Sequence, residues 1–233
     1  MLISGLQKLT LLDFPGTVAC TVFTAGCNFR CPFCHNAALV LPERIEGDPN
    51  GVETVLRFLK TRQGILEGVA ITGGEPLLHA DMADFLREIR ALGYRIKLDT
   101  NGSFPERLES LIAEGLVDRV AMDVKNDPAR YADTVGLRAL DLGAVERSRD
   151  ILMRGTVDYE FRTTVVKGLH TRESLLEAAR WIAGAKEYYL QQYKDSGDLL
   201  DPRGLGPFNN QEMHTLRDAV AEILPCVQLR GVD

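Results

Sequence analysis

The 233-residue chain has no apolar run approaching the about 20 residues that cross a bilayer, a single tryptophan, and only five cysteines. Positive charge is also in short supply. Against 33 Asp and Glu stand 27 Lys and Arg, so the formal net charge is −6 and the pI is near 5.3. That balance excludes a protein whose main partner is a phosphate backbone, which calls for a basic face. No nucleic acid and no membrane is therefore expected as a partner. Met1–Thr10 carries Lys8 as its only charge and lacks an apolar segment followed by a small-residue cleavage site, so no signal peptide is read there and the cytoplasm is the expected location. In that compartment cysteines stay reduced unless a metal or catalysis uses them. Internal repeats, low-complexity tracts and linkers are lacking too, and the length suits one core, giving residues 1–233 as a single expected domain.

What is present is an alternation of apolar, β-branched runs with helical patterns. Strands are expected at Val18–Thr24, Val69–Thr72, Tyr94–Thr100, Arg119–Val124, Tyr159–Val166 and Glu187–Gln192. Between them the periodicity predicts helices over Val52–Arg62, from a cap at Asp81 to about Leu92, and over Pro105–Glu114, Leu142–Met153, Arg172–Ala183 and Asn210–Leu224. Pro105 at a first turn and Gly115 just past an end are the usual punctuation. Residues 125–141 read as a long loop with one helical turn, Asp195–Gly206 as the loosest loop, and Val227–Leu229 as a short apolar tail. Strands separated by helices imply right-handed β–α units on a parallel sheet. Six units are two short of a closed barrel. The expected fold is thus α/β, a partial (β/α)6 TIM-like barrel of parallel strands.

Three of the five cysteines, Cys27, Cys31 and Cys34, crowd into one loop after the first of these strands. Thiolates at that spacing can converge on one centre. Four normally saturate an iron–sulfur cubane, and here no fourth is near: Cys20 lies in the preceding strand and Cys226 at the other end of the chain. A cubane held by three cysteines leaves one iron open to an outside ligand, as an open position distinguishes catalytic zinc. The alternative is a structural zinc site in a non-catalytic interaction module, with His35 or Cys20 as fourth ligand. Its usual paired spacing is a poor match to a lone three-cysteine knot.

Other motifs fall at expected carboxyl ends of strands, where barrel active sites lie. Thr72-Gly73-Gly74-Glu75-Pro76 ends the second strand. Glycines there let a ligand approach the backbone and Glu75 offers an anionic acceptor, although a tight turn accounts for the same residues. Asp99-Thr100-Asn101-Gly102 ends the third strand and Asp123-Val124-Lys125 the fourth; these residues also suit turns and solvated charge. On the fifth strand Arg162 and Thr164 share a face, and Arg162 either meets a ligand or neutralises carboxylates such as Asp123.

The cysteine spacing, with aromatic Phe33 before Cys34, resembles the radical S-adenosylmethionine superfamily. The resemblance implies one [4Fe–4S] cluster on Cys27, Cys31 and Cys34 whose open iron takes the methionine part of S-adenosyl-L-methionine. It further implies reductive cleavage of the sulfonium to a hydrogen-abstracting 5′-deoxyadenosyl radical. Gly73, Gly74 and Glu75 correspond to the methionine-binding segment, and Phe33, His35, Asn36 and Asn101 join the cofactor-binding set. Asp99, Lys125 and Arg162 are implied to bind or orient the cofactor, with Lys125 suited to its carboxylate. Asp99 and Asp123 are implied holders of a monovalent cation. Lys194 stands where some relatives carry a histidine. The opening Gln7-Lys8-Leu9-Thr10-Leu11-Leu12-Asp13-Phe14-Pro15-Gly16 and the run Gly26–Asn36 resemble anaerobic ribonucleoside-triphosphate reductase activating proteins. Their partner is a glycyl radical enzyme, and their electron donor a flavodoxin or ferredoxin. A radical enzyme acting on a small molecule, of the 7-carboxy-7-deazaguanine synthase kind, is the alternative within the superfamily.

Overall fold

The computed structural model describes residues 1–45, 47–48, 51–195 and 197–232. One eight-stranded sheet runs through them in sequence order: β1 Ile3–Thr10, β2 Ala19–Thr24, β3 Gly68–Gly73, β4 Arg95–Thr100, β5 Arg119–Asp123, β6 Asp158–Val165, β7 Tyr188–Gln192 and β8 Val227–Arg230. From β2 to β8 every neighbouring pair is parallel, and β1 adds antiparallel to β2. The parallel strands bury apolar residues on the face that the helices cover, while β4, β5 and β6 set charged side chains on the alternate positions. The six expected strands all form. The two edges of the sheet were not expected as strands, since β1 has little apolar content and β8 is only four residues long.

Helices wrap the outside: α1 Ala37–Val40, α2 Gly51–Lys60, α3 Met82–Ala91, α4 Pro105–Ala113, α5 Tyr131–Thr134, α6 Leu142–Met153, α7 Arg172–Trp181 and α8 Asn210–Ala221. Val55, Leu56 and Leu59 of α2 and Met82, Phe85, Leu86 and Ile89 of α3 are buried, as their helical spacing requires. The single turn expected within residues 125–141 is α5. The short α1, inside the segment that follows the cysteines, has no counterpart in the periodicity. Asp81 stands at the N-cap of α3 but makes no side-chain cap; its carboxylate pairs with the amino group of Met1 instead.

The loop expected to be loosest is tied down on one side. Asp201 N–H donates to Pro32 O at 2.9 Å, which lays residues 197–206 against the cysteine loop. Among the described residues no helix is long and apolar enough to cross a membrane.

Candidate functional site

The carboxyl ends of the strands converge on one open cavity of about 270 Å³. Cys27, Cys31, Phe33, Cys34, His35 and Asn36 form one wall. Gly73 and Gly74 come from the end of β3, Asp99 and Asn101 from β4, Asp123 and Lys125 from β5, and Arg162 from β6. Every site residue expected from the sequence lines this cavity except Glu75.

Glu75 is fully buried, and its carboxylate is spent on the protein itself. Oε1 accepts from Leu77 N–H at 3.0 Å and from Thr100 Oγ1 at 2.8 Å, while Oε2 accepts from Asn101 N–H at 2.7 Å. It therefore pins the end of β4 to the end of β3, and its expected role as an acceptor for a ligand gives way to that of a clamp. Burial pushes its carboxyl up to about 7, against the pull of those three donors.

The two glycines before it have a similar explanation. A Cβ on Gly73, whose φ is +118°, would lie 2.3 Å from Thr24 O, and one on Gly74 would lie 1.9 Å from Gly26 O. The space they leave is taken by the backbone that leads into the cysteines. Gly74 N–H donates to Thr24 O at 2.9 Å and Glu75 N–H to Gly26 O at 2.8 Å. Both glycines still face the cavity, so a close approach of backbone to a ligand is preserved on their other side.

The cysteine loop is held at further points. Arg30 N–H donates to Val135 O at 2.8 Å. Asn28 accepts from the Asn101 amide at 3.0 Å and donates to Ser103 at 2.9 Å. Cys27 Sγ receives Phe29 N–H at 3.4 Å and the Asn101 amide at 3.9 Å. Burial pushes the Cys27 thiol up to about 11 and the Cys31 thiol up to about 12. Both are neutral thiols near pH 7 and must lose protons when a metal binds. Cys20 is different: it is fully buried in the apolar core on β2 and takes no part in the cavity. Cys226 donates its thiol hydrogen to Ala185 O at 3.2 Å, far along the chain from the loop. Burial and the Lys125 charge pull the His35 imidazole down. Among the described residues no three His, Cys, Asp or Glu side chains are gathered tightly enough to hold a single metal ion.

Beneath the cysteines lies a line of paired charges. Lys97 Nζ reaches Asp99 Oδ1 at 2.5 Å, and Arg162 links Asp99 Oδ2 at 3.1 Å to Asp123 Oδ1 at 3.0 Å. Lys125 Nζ completes the line on Asp123 Oδ2 at 2.8 Å and stands 6.0 Å above the Phe33 ring centre. Burial alone would pull the Lys125 ammonium down, but Asp123 outweighs it and holds the group above its ordinary range. Lys97, with 2% of its side chain exposed, was missed in the sequence. Its signal was the period of two that sets it on the face of Asp99. Gln191 and Thr164 also line the cavity; Lys194 does not.

A cavity at the carboxyl ends of parallel strands, with thiols on one wall and paired charges beneath, is the active-site arrangement of an α/β-barrel enzyme. A family model described as the radical SAM superfamily matches residues 21–182. The chain belongs to that superfamily, whose members imply a [4Fe–4S] cluster and S-adenosylmethionine. It is 31% identical over 205 residues to a Methanocaldococcus jannaschii protein provisionally named a glycyl-radical enzyme activating enzyme, covering 84% of this chain and 82% of that protein. It is 28% identical over 180 residues to the 7-carboxy-7-deazaguanine synthase of Methanopyrus kandleri, covering 67% and 70%. Among solved structures, Streptococcus suis SuiB superposes with a TM-score of 0.71 at 15% identity, covering 91% of this chain and 48% of SuiB. That last likeness concerns the fold.

The residues fit the implied groups. Three thiols, one of them accepting N–H hydrogen bonds, share a wall on which, among the described residues, no fourth cysteine stands, and a cationic ammonium faces the same space. Thiolate ligands and hydrogen bonds to sulfur are the protein's usual means of holding and tuning such clusters.

Proposed function

We propose that this chain is a glycyl-radical-enzyme activase whose partner is an anaerobic ribonucleoside-triphosphate reductase. The observation that carries the reading is the 31% identity to an activating enzyme across most of both chains. Cys27, Cys31 and Cys34 would hold one [4Fe–4S] cluster, and no fourth cysteine of the described chain lies in the cavity. Bound there, cluster and cofactor supply one-electron cleavage of a sulfonium and a carbon radical able to take a hydrogen atom. The chain's own contribution is position and charge. Gly73 and Gly74 leave backbone open to the cofactor's ammonium, and Lys125 presents a cation to its carboxylate. Phe33, His35, Asn36 and Asn101 border the same space. The substrate is the α-hydrogen of a glycine on the partner, and an open barrel mouth admits a polypeptide loop. A single domain, a cytoplasmic setting and a flavodoxin or ferredoxin as reductant go with this reading.

The match to a 7-carboxy-7-deazaguanine synthase supports a second reading, a radical enzyme for a small molecule. Anaerobic incubation with a candidate reductase, S-adenosylmethionine and a reductant separates the two. A glycyl radical doublet in the electron paramagnetic resonance spectrum of the partner supports the activase. Turnover of a small molecule with no doublet on any partner overturns it. Cys31→Ala is expected to abolish cleavage of S-adenosylmethionine while the fold persists, and stoichiometric zinc without iron in the purified protein would reject the cluster.

A further inference from the structure

Two carboxylates close together in a desolvated site both stay ionised only if positive charge stands between them. Asp99 ends β4 and Asp123 ends β5, and their side chains have 15% and 29% exposure. A hard metal ion with oxygen ligands is one solution. This chain carries another. Arg162 pairs directly with Asp123 across the β5–β6 ladder, so the backbone register itself delivers the guanidinium to that point. Its planar fork then spans both acids: Nη1 meets Asp99 Oδ2, and Nε and Nη2 both meet Asp123 Oδ1. Bidentate bridging of this kind needs the guanidinium geometry.

The outer oxygens are engaged as well, Asp99 Oδ1 by Lys97 and Asp123 Oδ2 by Lys125. All four carboxylate oxygens therefore already face a protein cation. A sodium or potassium ion placed between these acids would have to displace Arg162. The line holds three cations and two anions, leaving one positive charge, and Lys125 carries it to the cavity.

We propose that Arg162 is this protein's built-in cation: its guanidinium occupies the place between Asp99 and Asp123 that an alkali-metal ion would otherwise fill, so that cofactor binding does not depend on sodium or potassium. The statement about the cofactor rests on the activase reading of the cavity; the statement about the guanidinium does not. It replaces the monovalent cation expected from the resemblance with a residue of the chain. Arg162 acts as a positioning residue here, since it sets the charge of Asp123 and through it the place of Lys125.

The test compares anaerobically purified protein in sodium chloride, potassium chloride and choline chloride at one ionic strength. Wild-type protein is expected to melt at the same temperature and to bind S-adenosylmethionine with the same affinity in all three. Arg162→Ala leaves the two carboxylates facing an opened space. It is expected to melt higher by about 2–4 °C or more in sodium or potassium than in choline, because only the small ions can bind there and stabilise the fold. Its affinity for S-adenosylmethionine should be about tenfold weaker in choline and partly restored by the alkali metals. Arg162→Lys keeps a charge in place and is expected to melt alike in the three salts. If Arg162→Ala folds only in alkali-metal chloride, that is the same result in a stronger form; Arg162→Gln, which retains the bulk, carries the comparison if it folds in none. A wild-type protein that weakens in choline, or neutral variants that melt alike in every salt, overturns the proposal. A wild-type protein that binds no S-adenosylmethionine, while Arg162→Ala still responds to alkali metal, overturns the activase reading and leaves the guanidinium's role standing.

Discussion

The inside of the barrel holds two networks of charge built from the same residue types, an upper one that ends at the mouth and a lower one centred on Glu160. The upper line, Lys97–Asp99–Arg162–Asp123–Lys125, ends on the cavity. In the lower network Glu160 has no exposed surface and is held between Arg119 at 2.8 Å and Arg230 at 3.0 Å. Arg119 also pairs with Glu187, and Arg230 lies over the Tyr189 ring with its guanidinium carbon 3.9 Å from the centroid. Glu160 precedes Arg162 by two residues on β6, and Arg119 precedes Asp123 by four on β5, so strand periodicity puts all of them on the inner face. Asp99, Ala121 and Glu160 lie in register, so the networks are neighbours and differ in the partners each charge meets. The lower charges meet one another and hold strands together; the upper ones have one cation left for a ligand.

Glu160→Gln strikes the lower network directly and reaches the upper one only through the field of Glu160 on Arg162. It leaves two guanidiniums facing a neutral amide and is expected to reduce stability in urea unfolding by about 3–5 kcal/mol. The affinity of the remaining folded protein for S-adenosylmethionine should not move; a parallel loss of both would mean the two networks act as one. Lys125→Ala is the reverse experiment. Removing a charged hydrogen-bond donor from the mouth should weaken cofactor binding by about 1.5–3 kcal/mol, roughly tenfold or more, in a titration. Cluster assembly should be retained. Glu75→Gln tests the clamp between the ends of β3 and β4. Its amide nitrogen would oppose one backbone N–H, that of Leu77 or that of Asn101, at a cost of about 1–3 kcal/mol in the unfolding free energy.

The mildest probe is acid. Burial pushes the Glu160 carboxyl up, but its hydrogen bonds to Arg230 and Arg119 outweigh this and hold it at about 2, below its ordinary 4.5. Because the folded-state value is the lower one, the stability this group contributes is complete above about pH 4.5 and is lost as the pH falls towards 2. Asp123 behaves in the same direction: Arg162 and Lys125 outweigh its burial and hold it well below the ordinary carboxylate range. The stability difference between wild type and Glu160→Gln should therefore narrow as pH drops through that window, measured by urea unfolding at several pH values. A constant difference would place the contribution of Glu160 in packing instead of charge.

Much of this was legible without coordinates. The six inner strands showed themselves as short segments rich in apolar and β-branched residues because at least their helix-covered face must be apolar. The edge strands β1 and β8 did not, since half of what makes an edge strand is a partner found elsewhere in the chain. The cysteine loop and the motifs ending at Gly74, Asn101 and Lys125 were visible as motifs, and they do share one cavity. Lys97 stayed hidden because a lysine reads as solvated until a carboxylate is found beside it. Glu75 misled for the opposite reason: a carboxylate in a glycine turn looks available, and nothing local shows that Leu77, Thr100 and Asn101 take up its oxygens.

By itself the sequence determined which chemistry was within reach: three thiols in one loop, acids and bases at the ends of apolar strands, and a β–α alternation that brings those ends together. These follow from spacing and periodicity, which are local. Only the tertiary structure decided which charges pair, because pairing depends on register between strands far apart in the chain. That register set Arg162 between Asp99 and Asp123, turned Glu75 inward and left Lys125 facing the cysteines.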